Sequence, residues 1–348
     1  VISALGQPVK YLRAIVGHSP VKTLEFAVKF QQSEPKRMTS DSRHSRSSAT
    51  KNPPNAPTDT TPSAAIALPD DLVYQVQQAL REDLGSGDIT ASLIDPNQTA
   101  QARVIAREPA ILCGQPWFNA VFAAIDPSVT LTWAVPEGAL MTADQTILEL
   151  SGNARSILTA ERTALNFLQT LSGTATTTHR WVSHLEGTDA QLLDTRKTIP
   201  GLRTAQKYAV KVGGGQNHRM GLFDQFLIKE NHIMAAGSIS AAIQQAKRLH
   251  SSIPVEVEVE TLAELEEALQ AQADIIMLDN FSLQNVQQAV VIRDRMQASH
   301  CKLEVSGAIE ESALLTLAET GVDFISVGAL TKHVQATDFS MRFSLSVQ

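Results

Sequence analysis

At 348 residues, 43% hydrophobic and 19% charged, the chain has ordinary globular composition and length for two domains, or for one large domain with additions. No apolar run approaches the roughly 20 residues that span a bilayer, and two distant cysteines, Cys113 and Cys301, exclude a disulfide scaffold or a structural zinc site and suit a reducing, cytoplasmic setting. A net charge of −7 argues against nucleic acid as a partner of the surface as a whole.

Residues 1–65 differ from the rest. From Ser33 to Ala65 there is no Ile, Leu, Val or aromatic residue. Such sequence buries too little apolar surface to offset its ordering entropy, so disorder is expected. Nine Lys/Arg against four acids in 1–65 would suit a transit-type or regulatory extension, while Lys10 and Arg13 interrupt the apolar residues that a signal peptide keeps continuous. The plainer expectation is extra sequence upstream of the true start, with Met38 a candidate initiator.

The folded part is expected from Ile66. Leu72, Val76, Leu80 and Leu84 recur at helical spacing after Pro69-Asp70-Asp71, and the helix they predict ends in the Gly-rich turn Leu84–Thr90. Short alternating runs follow at Arg103–Arg107, Ala110–Cys113, Thr130–Val135 and Thr146–Ser151, with one helix near Pro116–Ala124. They predict an α+β layer built on an antiparallel sheet. Residues 155–171 read as a second helix, with Ile157, Ala160, Ala164, Leu168 and Leu171 on one stripe and Arg162 off it.

From Gln191 the rhythm changes. Apolar runs at Gln191–Asp194, Phe226–Lys229, Val255–Val259, Asp274–Leu278, Lys302–Val305 and Phe324–Val327 alternate with helical patterns such as Ser238–His250, Thr261–Ala271, Leu283–Ala298 and Glu310–Glu319. This is a βα repeat and predicts a parallel sheet. Six strands are counted where a closed barrel has eight, so either the barrel is incomplete or two strands are hidden. The run Ser340–Leu345 is no seventh βα unit and is expected to return to the first layer. The expected organisation is an α+β domain over 66–175, joined by the tail 334–348, and an α/β barrel over 176–333.

Chemistry concentrates between Leu193 and His232. From Arg196 to Lys229 there are seven Lys/Arg and one acid, Asp224, in a chain that is acidic overall. Active groups of parallel α/β proteins gather at the carboxyl ends of strands. Here those ends carry Arg196 and Lys197; Lys229, Glu230 and Asn231; Glu256, Glu258 and Glu260; Asp279 and Asn280; Ser306-Gly307-Ala308; and Gly328-Ala329. Arg196, Lys197, His218, Arg219 and Lys229 can clamp carboxylates or phosphates. Glu258 and Asp279, on adjacent strand ends, suit Mg²⁺ near a phosphorylated substrate. Strand alternation puts Glu256, Glu258 and Glu260 on one face, either the barrel interior or the solvent side of an edge strand. The small residues at Ser306-Gly307 and Gly328 can present backbone N–H groups to a phosphate. Gly213-Gly214-Gly215 reads as a lid or as a plain linker. A lysine ending a strand could also form a Schiff base, which leaves a lyase using Lys229 as a rival; a non-catalytic phosphate-binding module is another.

Eight motifs in order give the chain a family resemblance: Glu82–Thr90, Glu161–Thr176, Asp194–Arg203, Asn217–Ile233, Val255–Thr261, Leu278–Phe281, Glu304–Ile309 and Ser326–His333. Over Leu68–Phe343 it resembles the quinolinate phosphoribosyltransferases, the carboxylating nicotinate-nucleotide pyrophosphorylases. The resemblance implies an open, incomplete α/β barrel packed against the α+β layer. It implies a homodimer, or a hexamer built from dimers, with each active site shared between subunits. It also implies transfer of a phosphoribosyl group from phosphoribosyl pyrophosphate to quinolinate, with Mg²⁺ required and CO₂ released. By motif position Arg196, His218, Arg219 and Lys229 would surround the quinolinate carboxylates, with Lys197 beside them and Arg162 reaching in from the other subunit. Glu258 and Asp279 would face the ribose and the magnesium pyrophosphate, and Ser306, Gly307, Gly328 and Lys332 would hold the 5′-phosphate. Ala308 stands where the family often has Gly. A relative in the same fold acting on another substrate remains a further alternative.

Overall fold

An apolar residue on every turn builds α1 (Leu72–Leu84), which buries Leu72, Val76 and Leu80. The computed structural model describes residues 66–345, so the expectations for 1–65 lie outside the described residues. After α1 come β1 (Thr99–Ala106), β2 (Ala110–Ile111), α2 (Gln115–Ile125), β3 (Thr130–Trp133), β4 (Leu140–Met141), β5 (Thr146–Asn153) and the long α3 (Ala154–Ser183). Then follow β6 (Gln191–Leu193), α4 (Arg203–Val212), β7 (Phe226–Ile228), α5 (Glu230–Ala236), α6 (Ile239–Leu249), β8 (Val255–Val259) and α7 (Leu262–Gln270). The remainder is β9 (Ile275–Asp279), α8 (Leu283–Arg295), β10 (Lys302–Ser306), α9 (Leu314–Ala318), β11 (Phe324–Ser326), α10 (Ala329–Lys332) and β12 (Phe339–Leu345).

Two large sheets organise these elements, and β2 and β4 pair as a small antiparallel third. The large antiparallel one has the order β12-β1-β5-β3. Its inward residues, among them Val104, Leu148 and Leu150, pack with Trp117, Phe118 and Phe122 of α2 and with Ile157, Ala164 and Leu168 of α3. The parallel one has the order β6-β11-β10-β9-β8-β7 and does not close on itself. Its helix-facing residues, such as Val255, Val257, Val259, Ile276 and Leu278, form a second core with α6, α7 and α8. Strand β8 lies between β7 and β9. Its glutamates therefore do not belong to an edge strand: Glu256 is fully buried and Glu258 partly so, while Glu260 lies past the strand and is exposed.

Helix α3 runs twelve residues beyond the apolar stripe at 155–171. The extension is rich in Thr, which competes for backbone hydrogen bonds. Here the competition is settled internally: the hydroxyls of Thr174, Thr176 and Thr178 donate to the carbonyls of Thr170, Ser172 and Thr174, one turn back. Gly173 sits where the chain leading to β12 crosses α3. A Cβ there would stand 2.0 Å from the Gln335 carbonyl oxygen, and Thr337 N–H donates to the Gln169 carbonyl at 3.0 Å. Gly173→Ala is expected to cost about 1–3 kcal/mol through forced separation of two backbones, read as a lower urea midpoint with an unchanged slope. An unaltered midpoint would mean that the crossing yields freely.

The triple glycine is a packed turn. A Cβ on Gly213 would lie 2.4 Å from the Ala175 carbonyl, and one on Gly215 2.9 Å from both Thr178 Cγ2 and Val210 Cγ1. The turn's backbone is tied by Gly213 N–H to Ala209, Gly215 N–H to Val210 and Gln216 N–H to Leu192. This is the geometry of a connection pressed against α3, and of the two readings it favours the plain linker.

Candidate active site

Arg196 and Arg219 are far apart in sequence but adjacent in space, and Asp194 is the reason. Its side chain is fully buried at the end of β6. One carboxylate oxygen accepts from Lys207 Nζ at 2.5 Å and from His218 N–H at 2.9 Å. The other accepts from the Asn217 amide at 2.8 Å once that amide is turned with its nitrogen inward. Lys207, also fully buried, donates to the His218 carbonyl at 2.7 Å. Backbone bonds join Asp194 N–H to Gln216 and Gln216 N–H to Leu192, so the segment before His218 runs beside β6 as a one-residue parallel bridge. Burial pushes the Asp194 carboxyl up to about 6, against the Lys207 charge, and burial pulls Lys207 down, against Asp194.

The basic residues of this stretch therefore divide. Lys207 is a strut. Arg203 ties two loops, donating to Thr198 Oγ1 and to the Met220 carbonyl, each at 3.2 Å. Arg196, Arg219 and Lys229 line a cleft of about 670 Å³, walled by Phe226, Leu227 and Ile228 of β7 and by His232 and Ala235 of α5. Burial and then the Arg196 charge lower the pKa of Arg219. The Nε of Arg196 is buried without a hydrogen-bond partner among the described residues. The sole hydrogen bond from the Arg219 guanidinium to the described residues is a long one, 3.5 Å, to the Gln225 carbonyl. Two guanidinium groups held side by side with so little to donate to are built for an anion with more than one acidic group.

Beside this clamp lies an acidic wall. Strand alternation projects Glu258 from β8 and Asp279 from β9 at the same end of the sheet. Lys229 pairs with Glu258. Burial and then the Glu258 charge raise the pKa of Asp279, while Lys229, Asn280 and Lys197 oppose the shift. The four charged groups thus share one small region. The Lys229 amine is engaged by Glu258 in an ion pair, and the geometry offers the lyase alternative no support.

The last two strand ends complete the rim. Gly307 has φ +141, and a Cβ there would meet Asn280 Oδ1 at 2.7 Å. Asn280 N–H donates to the Ser306 carbonyl at 3.0 Å. At Gly328 a Cβ would strike Lys197 Cδ at 2.7 Å. The Lys197 chain therefore passes directly over Gly328, a proximity that the sequence does not reveal. The Lys197 carbonyl accepts from Thr331 Oγ1 at 2.8 Å, fixing α10 to the loop after β6. Lys332 is exposed at the far end of α10.

His218 departs from its expected place among the substrate ligands. It is buried, and both ring nitrogens are engaged within the protein: Nδ1 accepts from Arg219 N–H at 2.7 Å, and Nε2 lies 3.0 Å from Glu256 and 3.5 Å from Glu304. Burial works against its charged form, but the Glu256 hydrogen bond and the charges of Glu256 and Glu304 outweigh it and raise its pKa. Gln225 Nε2 also donates to Glu256, at 2.7 Å. Asp194, Lys207, Gln225 and Glu304 all shape the site and none stands out in sequence; the one available signal is an acid at the interior position of a barrel strand, as at Glu304.

Arg162 stands apart. It is exposed on α3 and makes no hydrogen bond or ion pair with any described residue. The structure brings Arg196, Lys197, Arg219, Lys229, Glu258 and Asp279 together, and it does not bring Arg162 of the same chain into their hydrogen-bond network.

Residues 88–172 match the family model described as quinolinate phosphoribosyl transferase, N-terminal domain, and residues 174–342 match its C-terminal domain. A probable nicotinate-nucleotide pyrophosphorylase [carboxylating] of Synechocystis is 38% identical over 286 residues, covering 81% of this chain and 97% of that protein. The nicotinate-nucleotide pyrophosphorylase [carboxylating] of Mycobacterium leprae is 40% identical over 273 residues, covering 76% and 95%. Among solved structures, the nicotinate-nucleotide pyrophosphorylase of Francisella tularensis superposes with a TM-score of 0.77 at 50% identity, covering 80% of this chain and 98% of that one.

Proposed function

The chain belongs to the quinolinate phosphoribosyltransferase family, and from that footing we propose that it transfers the phosphoribosyl group of phosphoribosyl pyrophosphate to quinolinate. The products are nicotinate mononucleotide, pyrophosphate and CO₂, on the de novo route to NAD. The observation that carries this is the pair Arg196–Arg219, two adjacent guanidiniums facing a cleft that Lys229 also lines. Quinolinate offers two carboxylates on neighbouring ring atoms, which matches a cationic clamp of this density. A substrate with one carboxylate would leave part of that charge unpaired at a cost.

The residues then take these roles. Arg196, Arg219 and Lys229 grip the carboxylates, with His218 behind Arg219. Glu258 and Asp279 face C1′ of the ribose, where cationic character develops as the bond to pyrophosphate breaks and the ring nitrogen attacks. Lys197 lies beside the leaving group. Ser306, Gly307 and Gly328 hold the 5′-phosphate, with Lys332 nearby. Once the ring nitrogen carries ribose, its positive charge accepts the electron pair left on the adjacent carbon when the C–C bond to the carboxylate breaks; a proton from solvent then replaces CO₂. Magnesium fits this donor set, because Glu258 and Asp279 are hard oxygen ligands; burial and then the Glu258 charge raise the pKa of Asp279, and a divalent cation would relieve that repulsion. When bound it neutralises charge on the departing pyrophosphate.

The site is shared. Arg162 is solvent-exposed and unpaired, and the layer that carries it also exposes Ile89 and Leu93, while the mouth of the cleft exposes Leu222 and Phe223. A second copy of the chain, in a homodimer, covers both patches and delivers its own Arg162 to the clamp. Among the described residues no helix is long and apolar enough to cross a membrane, and Cys113 and Cys301 are free and buried, which is compatible with a cytoplasmic enzyme.

One assay tests the reaction. Purified protein with Mg²⁺, phosphoribosyl pyrophosphate and quinolinate is expected to release CO₂ and nicotinate mononucleotide in equal amounts. Nicotinate in place of quinolinate is expected to give no nucleotide. Equal turnover of the two acids would overturn the assignment.

A further inference from the structure

Strands β6 and β11 are neighbours in the parallel sheet, and their carboxyl ends lead to different parts of the site. The loop after β6 carries Arg196 and Lys197; Gly328 and α10 follow β11. Strand pairing ends at Leu193 and Ser326, and one further bond runs from Val327 N–H to the Leu193 carbonyl. Beyond it, no backbone hydrogen bond among the described residues joins the two chain segments. What joins them is a pair of neutral side chains, both fully buried, Gln206 of α4 and Thr331 of α10. Gln206 Oε1 accepts from Ile199 N–H at 2.7 Å, and its Nε2 donates to the Thr331 carbonyl at 2.9 Å. Both partners are backbone groups, one only a donor and the other only an acceptor, so the amide has a single orientation. The Thr331 hydroxyl closes the link by donating to the Lys197 carbonyl at 2.8 Å.

The loop is thus sewn to α10 at Lys197 and at Ile199, on the far side of the strand pairing. We propose that Gln206 and Thr331 are positioning residues: their three hydrogen bonds set where the Arg196–Lys197 loop stands relative to Gly328. In the proposed reaction this is the distance between the two halves of the chemistry. Arg196 holds the ring that attacks, and Gly328 holds the phosphate of the ribose that is attacked. Cutting the bridge leaves each half its own ligands but loosens their mutual alignment, on which the rate of joining two bound reactants depends steeply. That consequence rests on the proposed roles of Arg196 and Gly328; the bridge itself does not.

Two substitutions separate the hydroxyl from the rest of the side chain. Thr331→Val keeps the shape and removes the donor; Thr331→Ser keeps the donor. Amide hydrogen exchange in the substrate-free, full-length protein reads the bridge. In Thr331→Val the Ile199 amide, whose own partner Gln206 is untouched, is expected to exchange about five- to tenfold faster than in the wild type. In Thr331→Ser it is expected to stay within about twofold of the wild type. Equal exchange in the wild type and Thr331→Val, or equal acceleration in both variants, would overturn the proposal. Kinetics read the consequence. Thr331→Val is expected to lower kcat about tenfold, with the KM values for quinolinate and phosphoribosyl pyrophosphate within about threefold of the wild type. Thr331→Ser is expected to recover kcat to within about threefold. An unchanged kcat in Thr331→Val, or a loss carried by KM, would remove the positioning role while leaving the assigned reaction intact. If the exchange pattern holds while quinolinate is no substrate, the functional assignment fails and the bridge stands.

Discussion

Arg219→Ala will lower kcat/KM for quinolinate by about 100- to 1,000-fold, the equivalent of about 3–4 kcal/mol for a charged partner left without its counterpart. The loss should fall mainly on the KM for quinolinate, because a carboxylate is held alike in the ground state and the transition state. The KM for phosphoribosyl pyrophosphate should stay near its wild-type value. Arg219→Lys should not restore activity: a guanidinium can hold both oxygens of one carboxylate, and an ammonium is a point charge. The site has a specific reason to be sensitive here. Burial and then the Arg196 charge work against the guanidinium of Arg219, so the arrangement favours occupancy by an anion. Steady-state kinetics with each substrate varied in turn would decide the matter. An unchanged KM and kcat would remove Arg219 from the clamp.

Asp194→Ala will have the largest effect on stability. It strands the Lys207 ammonium at a position with no solvent exposure, with the His218 carbonyl as its remaining partner. Breaking a buried pair by deleting one member costs about 3–5 kcal/mol, because the other charge remains. A double variant, Asp194→Leu with Lys207→Met, should recover much of the loss, since apolar residues of similar size need no counter-ion. It should not recover activity. The same carboxylate receives His218 N–H and positions the loop that ends in Arg219, and an apolar pair cannot do that. Urea denaturation of the three proteins gives the comparison. A single variant that loses less than about 1 kcal/mol would show the pair to be weakly coupled to the fold.

The sequence made the parallel sheet legible because each strand is a short apolar run between turn residues. All six observed strands start and end within one residue of the predicted runs. Helix α4 was not legible, although Ala205, Tyr208, Ala209 and Val212 carry helical spacing; alanine gives a weak apolar signal, and Lys207 and Lys211 interrupt it. The charges of the site were legible as a group but not individually. Lys207 and Arg203 count in the same basic stretch, and pairing with Asp194, Thr198 and Met220 withdraws them from the cleft. Glu256 and Glu304 show the same limit from the other direction. An acid on the inner face of a strand is visible in VEVEV, but its partner, His218, lies on a loop far away in sequence. Spacing along the chain determines which face a residue occupies; it does not determine what waits on the other side.

The order β12-β1-β5-β3 also governs how the protein is made. Strand β1 lies between β5, which follows it closely, and β12, which is synthesised after the whole parallel sheet. While the ribosome works through β6 to β11, β1 has a ladder on one side and an open row of N–H and C=O groups on the other, a template for any passing strand. The nascent layer therefore spends the translation of an entire barrel exposed to mispairing, and it becomes safe when Phe339–Leu345 crosses α3 at Gly173 and docks. Of the two sheets, the one begun first is finished last, so slow synthesis or a chaperone that shields a bare strand should matter most to the antiparallel layer, remote from the residues that do the chemistry.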